Sequence, residues 1–474
     1  MKKVLAVLTS VLFGIMLFGC SATEDSNSDN VTITMWNTFP ELNEALEDFN
    51  ADFEEEHPNI NIELTNIPVN SQEQTYQAAV SEDTLPDIFT MIEDISLTKM
   101  LELDKVQELD SVFPEDIKDQ YLENSWTESI TTADDHTYVM PLYSPNHGTY
   151  MMYYNEEVLD EYGIDESNLP ETWDDFMKVG KEIYEESDGE VYGLMGVKES
   201  WMYLQLIDQL GTAISPETTN DMNYKEGHPS LNSKGEKESI EFFKEMLDDN
   251  VLAPQSLQNE EDKAYALFEA GKSAFIFGGN WTGSHLNSDG FEEWGVAHLP
   301  TKHGEPYYSE SSRASNGFAV SKETEHLSEV EIYLEYAIDH LYDNVFSEVA
   351  PSTSPKQDSN ETPPFAQYEE IDKISNDVAL SVPIPGARDA GLVSFDEDYS
   401  SKLKKHIGEV TLGYLSGEIK DLDGELNEID QQANNLFKET LKKEKYKELS
   451  PDLFKFSNWE PFTDYTDEDY EELN

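Results

Sequence analysis

Apolar residues along this chain recur with two alternating periods. At 31–36, VTITMW is a β-branched run that predicts a strand, and Leu42, Ala45, Leu46, Phe49 and Phe53 then repeat at helical spacing until His57-Pro58-Asn59 stops them. Ile60, Ile62 and Leu64 alternate as a second strand, so the chain opens on β-α-β. Leu85-Pro86-Asp87-Ile88-Phe89 predicts a turn feeding a third strand. Further on, Ile240, Phe243, Met246 and Leu247 mark a helix, and Ala264, Leu267 and Phe268 another. The latter runs through Gly271-Lys272 into an apolar strand at 274–277 and then Gly278-Gly279-Asn280-Trp281. Near the end, Leu422, Leu426, Ile429, Ala433 and Leu436 again repeat at helical spacing. Alternation of this kind predicts α/β layers, with ligands at strand ends and in clefts between domains.

The first twenty residues follow another rule. Lys2-Lys3 supplies a positive end, 4–18 an apolar run, and Leu17-Phe18-Gly19-Cys20 the only cysteine of the chain. A run this short behind two lysines predicts a secretory leader, 1–20, and not a membrane-spanning helix. Leu-Phe-Gly-Cys resembles the bacterial lipobox, whose cysteine is acylated, and a lone cysteine has no intramolecular disulfide partner. The expectation is a lipid anchor on Cys20 at the extracellular face of the cell membrane, followed by a small polar tether at 21–30. The roughly 440 residues beyond exceed one compact core, so two domains are expected. The last stretch, DYTDEDYEELN, predicts a poorly ordered acidic tail.

Charge narrows the partners. Asp and Glu number 99 against 30 Lys and Arg, a formal charge of −69 that becomes about −71 once the leader lysines are removed. Such a surface repels itself unless the Debye length is short, about 3 Å at 1 M salt, so a saline habitat is expected. With 24 Tyr, 22 Phe, 7 Trp and 38% hydrophobic residues, a folded core is expected in place of a disordered polyanion. Nucleic acid is excluded as a partner, because its phosphates require Lys and Arg.

No cofactor, metal or catalytic signature is present. There is no phosphate loop, GxSxG, HExxH or paired CxxC, and the ten histidines lack ligand spacing. A carboxylate pair for glycoside hydrolysis cannot be singled out among 99 acids. Instead, aromatic residues stand beside Gly, Asn and Pro at strand ends: Trp36-Asn37, Tyr143, His147 and Tyr150, Glu199-Ser200-Trp201, and Asn280-Trp281. Indole faces suit the apolar C–H face of a pyranose, while amides and carboxylates suit its hydroxyls.

Several motifs, in order, carry a resemblance: ITMWNTF with FNADFEEEHPNINIEL, LPDIF, YVMPLYSPNHGTYMMYYNEEVLDEYGI with ETWDDF, ALFEAGKSAFIFGGNWT, GVAHLPTKHGEP and NGFAVSK. Over about 31–438 the chain resembles the extracellular solute-binding proteins of carbohydrate ABC importers, the group that includes maltodextrin-binding protein. The resemblance implies a two-lobed α/β fold of the type II periplasmic-binding-protein class, with lobe one at 31–142 plus 313–350, lobe two at 143–312 plus 351–440, and an acidic extension at 441–474. The chain would cross between lobes near 142–147, 309–316 and 351–356. A carbohydrate would lie in the interlobe cleft of a monomer and favour closure, which permease subunits of the transporter would read.

Carried over by position, the resemblance implies ligand contacts from Trp36 and Asn37 after the first strand, Glu93 and Asp94 after LPDIF, Glu199 and Trp201, and Asn280 and Trp281, with Trp281 the stacking tryptophan. His147 joins them in the crossing segment. Beside Ile384-Pro385-Gly386, relatives carry a further tryptophan where this chain has Ala390-Gly391-Leu392. Arg388 there implies hydrogen bonds to a short or acidic sugar. A secreted glycoside hydrolase and a binder of peptides, polyamines or another non-sugar solute are the competing readings.

Overall fold

The computed structural model describes residues 30–39, 42–68, 71–92, 95–122, 125–144, 148–288, 290–310, 317–342, 354–356, 365–389 and 391–473. The leader with Cys20, most of the tether, and Glu93, Asp94 and His147 lie outside them. No helix among the described residues is long and apolar enough to cross a membrane.

Two sheets organise the chain. The first has the order Ile60–Asn66, Val31–Asn37, Ile88–Thr90, Gly317–Val320, Val139–Pro141. Its first three strands are parallel, with Val31 opposite Ile60 and Met35 opposite Ile88, and the 317–320 strand runs antiparallel to both of its neighbours. Alternation along these strands feeds two cores. Ile33, Met35, Ile88, Phe318 and Val320 point to the face covered by the helices Asn43–Glu56 and Leu327–Leu341, while Phe89, Ala319 and Val139 point to the other face with Tyr76 and Met100.

The second sheet has the order Trp294–Ala297, Tyr150–Asn155, Ser273–Gly279, Tyr192–Met195. Every residue of Tyr150–Asn155 and Ser273–Gly279 is buried, as expected of central strands covered on both faces. Around it lies the largest core, to which the helices Trp173–Glu186, Ser200–Thr212, Lys234–Asp248 and Leu422–Leu441 contribute. The helix at 234–248 starts with a full capping box, Ser233 and Glu236 bonding each other's backbone N–H.

Two expectations are corrected. Residues 354–356, placed by sequence in lobe two, pair with the first lobe: Leu122 N–H donates to Pro355 O at 2.8 Å and Lys356 Nζ to Ile338 O at 2.8 Å. Phe365 and Ile371 already belong to the second core, so that crossing comes after Lys356. The C-terminal stretch is also folded. Phe456, Trp459 and Tyr465 are buried with Tyr224, Tyr308, Leu380 and Val382, and Asp467–Leu473 is helical. Counting carboxylates hid the aromatic residues that provide this fourth core.

Candidate functional site

A cavity of about 1390 Å³ opens between the two sheets' lobes. One wall comes from the first lobe: Met91, Ile92, Ile95 and Leu97 follow the 88–90 strand, and Glu128, Ser129 and Ile130 form a second loop. The opposite wall is built on second-lobe helices and strand ends. At one lip the lobes touch, where Ser394 Oγ donates to Glu102 Oε1 at 3.4 Å.

Trp281 dominates the second-lobe wall. Its strand ends in Gly279, where a Cβ would lie 2.1 Å from the indole, so the missing side chain lets the ring fold back over the strand. Tyr150 meets the ring edge-on at 5.7 Å, and the Trp281 Nε1–H donates to Glu261 Oε1 at 2.9 Å. Trp201 lies 6.0 Å away, tilted by 34°, and is 44% exposed. Two indoles, one fixed by a carboxylate and one open to solvent, therefore offer an aromatic surface to the cavity.

Helical periodicity explains much of the remaining wall. Trp201, Leu204, Gln205 and Asp208 recur along one face of the 200–212 helix, and all line the cavity. Leu392, Asp396 and Tyr399 do the same on the Gly391–Ser400 helix. Seven carboxylates line the space, Glu128, Asp208, Asp221, Glu261, Asp262, Glu310 and Asp396, with no lysine or arginine among the described lining residues. Asp208 Oδ2 accepts from Thr219 Oγ1 at 2.6 Å and Oδ1 from Asn220 N–H at 3.0 Å. Burial, only partly offset by these bonds and reinforced by the Asp221 charge, pushes Asp208 up to about 7. Asp221 is raised by burial, and Glu236 behind them by burial and then by both aspartates.

Of the expected contacts that the structure describes, Trp201 and Trp281 line the cavity. The others have different work. Trp36 packs edge-on against Tyr76 at 5.3 Å, on the sheet face away from Met35. Asn37 is fully buried, donating to Phe39 O at 2.8 Å and Asn43 Oδ1 at 2.9 Å, which ties down the loop after the first strand. Asn280 is fully buried too, its Oδ1 accepting from Gly148 N–H at 3.3 Å. Glu199 precedes the 200–212 helix half-buried, with burial raising its carboxyl. Arg388 faces away from the cavity: Nη1 donates to the carbonyls of Asp452, Leu453 and Lys455 at 2.9–3.1 Å, and the guanidinium lies 5.2 Å from the Phe456 ring. It fastens the C-terminal segment, a partner invisible to a reading that took that segment as loose. With the wall acidic and Arg388 elsewhere, nothing described in the cavity supports an acidic sugar.

Sequence reasoning missed Asp208, Asp221, Glu261 and Tyr399. The i, i+3, i+4, i+7 face through Trp201 carries the signal for Asp208, and Asn220-Asp221 is a turn dipeptide whose φ angles are +49° and +58°.

Comparison with known proteins places this geometry. Residues 38–340, about two thirds of the chain, match the model of the bacterial extracellular solute-binding protein family. An uncharacterized ABC transporter extracellular-binding protein of Pyrococcus horikoshii is 21% identical over 360 residues, covering 74% of this chain and 77% of that one. The multiple sugar-binding protein of Streptococcus mutans is 26% identical over 359 residues, covering 69% and 76%. Maltose-bound MalE3 of T. maritima superposes with a TM-score of 0.63 at 17% identity, over 86% of this chain and 100% of its own. The fold is thus a two-lobed, type II binding-protein fold, and the chain belongs to the bacterial extracellular solute-binding protein family.

Proposed function

We propose that this protein is the sugar-binding subunit of an ABC importer, capturing an oligosaccharide between its lobes and presenting it to permease subunits. The Trp201–Trp281 pair carries the reading: two indole faces beside a carboxylate-rich wall match the alternating apolar and hydroxyl surfaces of a pyranose. The cavity is larger than a single sugar ring requires, which favours more than one residue of a glycan. Similarity to sugar-binding relatives supports the same class. Closure follows from ligand contacts made on both walls at once, available only when the lobes approach. Leu17-Phe18-Gly19-Cys20 supports a lipid anchor on Cys20, holding a monomer at the outer membrane face.

Titration calorimetry against an oligosaccharide panel tests the proposal. Saturable heats with no released product are expected. Hydrolysis of the glycan would make it an enzyme, and binding of peptides to the exclusion of sugars would make it a carrier of another solute. Mass spectrometry of the mature protein should find acyl chains on Cys20, and a lipid-free mature chain would remove the anchor.

A further inference from the structure

The cleft contains a smaller feature that sugar hydroxyls do not explain. Asp208, on the 200–212 helix, and Asp221, at the turn between Thr218–Thr219 and Met222–Asn223, line the same cavity as Asp396 and Tyr399 of the 391–400 helix. Glu236 lies behind the two aspartates, close enough for each to raise it. No lysine or arginine is among the described residues lining the cavity, so Asp208 and Asp221 meet no counter-charge on its wall.

Tyr399 is the independent observation. It is 6% exposed, lines the cavity, and its hydroxyl is sealed from solvent without a hydrogen-bond partner among the described residues. Burial raises this phenol, and of its neighbours Asp221 raises it next. A buried hydroxyl left open beside a carboxyl marks a place for a group that donates several hydrogen bonds at once. A metal ion fits poorly. Among the described residues, the one set of three ligand side chains with atoms within 4.8 Å of one another is Glu108, Asp110 and His136, outside the cavity lining. An ammonium group has three donors and a positive charge, which suits two carboxyls and a hydroxyl.

We propose that this acidic pocket, Asp208, Asp221 and the Tyr399 hydroxyl, receives a protonated amine carried by the sugar, so that the ligand is an amino sugar or an oligosaccharide containing one. The proposal rests on the sugar reading of the cleft and specifies it further.

The test uses ligands that differ in a single substituent. β-1,4-linked glucosamine oligomers of two to four units are compared by calorimetry at neutral pH with glucose oligomers of the same linkage and length, and with spermidine as an amine lacking sugar rings. Wild-type protein should bind the aminated oligomers at least about tenfold more tightly than their neutral partners, as expected of a charged hydrogen bond in a partly desolvated site. Asp221→Asn keeps a residue that tolerates the left-handed φ of that turn. It should bring the ratio of the aminated to the neutral affinity close to one, the ratio being the quantity read whatever the loss of the carboxylate does to both. Asp208→Asn provides a second variant with the same expectation. A wild-type preference for the neutral oligomers, the absence of any amine preference, or a ratio that survives both substitutions would overturn the inference and leave the sugar reading standing. Binding of spermidine with no sugar of either kind would overturn both.

Discussion

The two lobes handle buried charge in opposite ways. In the first, Lys105 is 8% exposed and held between Asp83 and Glu323, with Glu323 Oε1 at 2.8 Å. Asp87 accepts from Thr34 N–H at 2.8 Å, Thr34 Oγ1 at 2.7 Å and Thr324 Oγ1 at 2.6 Å. Burial alone would raise its carboxyl, yet the bonds from Thr324 and Thr34 hold it below the usual carboxylate range. In the second lobe, burial raises all three of Asp208, Asp221 and Glu236, the Asp221 charge raises Asp208 further and both aspartates raise Glu236, while no lysine or arginine is among the described residues lining the cavity. Compensated charge is structural: it fixes strand and loop positions and asks nothing of a ligand. Uncompensated charge at a cavity wall costs stability in the empty protein, and it persists in a place where only a partner can offset it.

The sharpest way to break this contrast is Asp87→Ala. It takes the carboxylate away from the half-buried Thr34 N–H and from the Thr34 and Thr324 hydroxyls, through which it binds the 31–37 strand to Thr324, so a loss of about 3 kcal/mol in folding stability is expected from urea unfolding, with ligand affinity of the folded protein unchanged. Were affinity to fall while stability held, Asp87 would belong to the binding surface and the division between lobes would fail.

Trp281→Ala probes the other lobe. Removing a central aromatic anchor costs upwards of about 2 kcal/mol in binding, about thirtyfold in affinity. Stability should fall by less than a buried tryptophan would demand, because the ring is only half-buried and rests on the strand backbone at Gly279. A variant that unfolds easily yet binds normally would make Trp281 a core residue.

Asp208→Asn tests the charge directly. Because the folded carboxyl sits at about 7, above its unfolded value near 4, the stability its protonated form supports is complete below about pH 4 and lost as pH rises through about 7. The substitution should therefore stabilise the ligand-free protein at pH 8 and leave it nearly unchanged at pH 4. Melting temperatures of both proteins across that range decide the matter. Equal differences at the two ends would mean that Asp208 is already solvated or paired.

How much of this was legible in the sequence depends on which residues a side chain answers to. The strand at 31–37 and the helix at 43–56 were legible because Ile33 and Met35, then Leu46, Phe49 and Phe53, follow local periods that packing preserves. Trp281 was legible because Gly278-Gly279 precedes it, although the structural reason differs: Gly279 makes room for the ring itself. Arg388 was not legible, since its partners are backbone carbonyls some 64 to 67 residues away, and no local pattern encodes them. The folded C-terminal stretch was obscured by its acids. Its Phe456, Trp459 and Tyr465 find their partners at Tyr224 and Tyr308, far back in the chain.

The smallest expected effect completes the contrast between the cleft's two walls. Ile130 belongs to the first-lobe loop at 128–130, half-buried, aliphatic and without a polar group to aim at a hydroxyl. In the closed complex proposed above it would exclude water over the ligand, and such rim contacts are worth little each. Ile130→Ala should weaken binding by less than about 1 kcal/mol, within about fivefold, and slow neither folding nor assembly. Calorimetry on the same ligand used for Trp281→Ala gives the comparison. If Ile130→Ala matched or exceeded Trp281→Ala, recognition would be shared equally between the lobes, and the carboxylates of the second wall would lose their claim to set which ligand the cleft accepts.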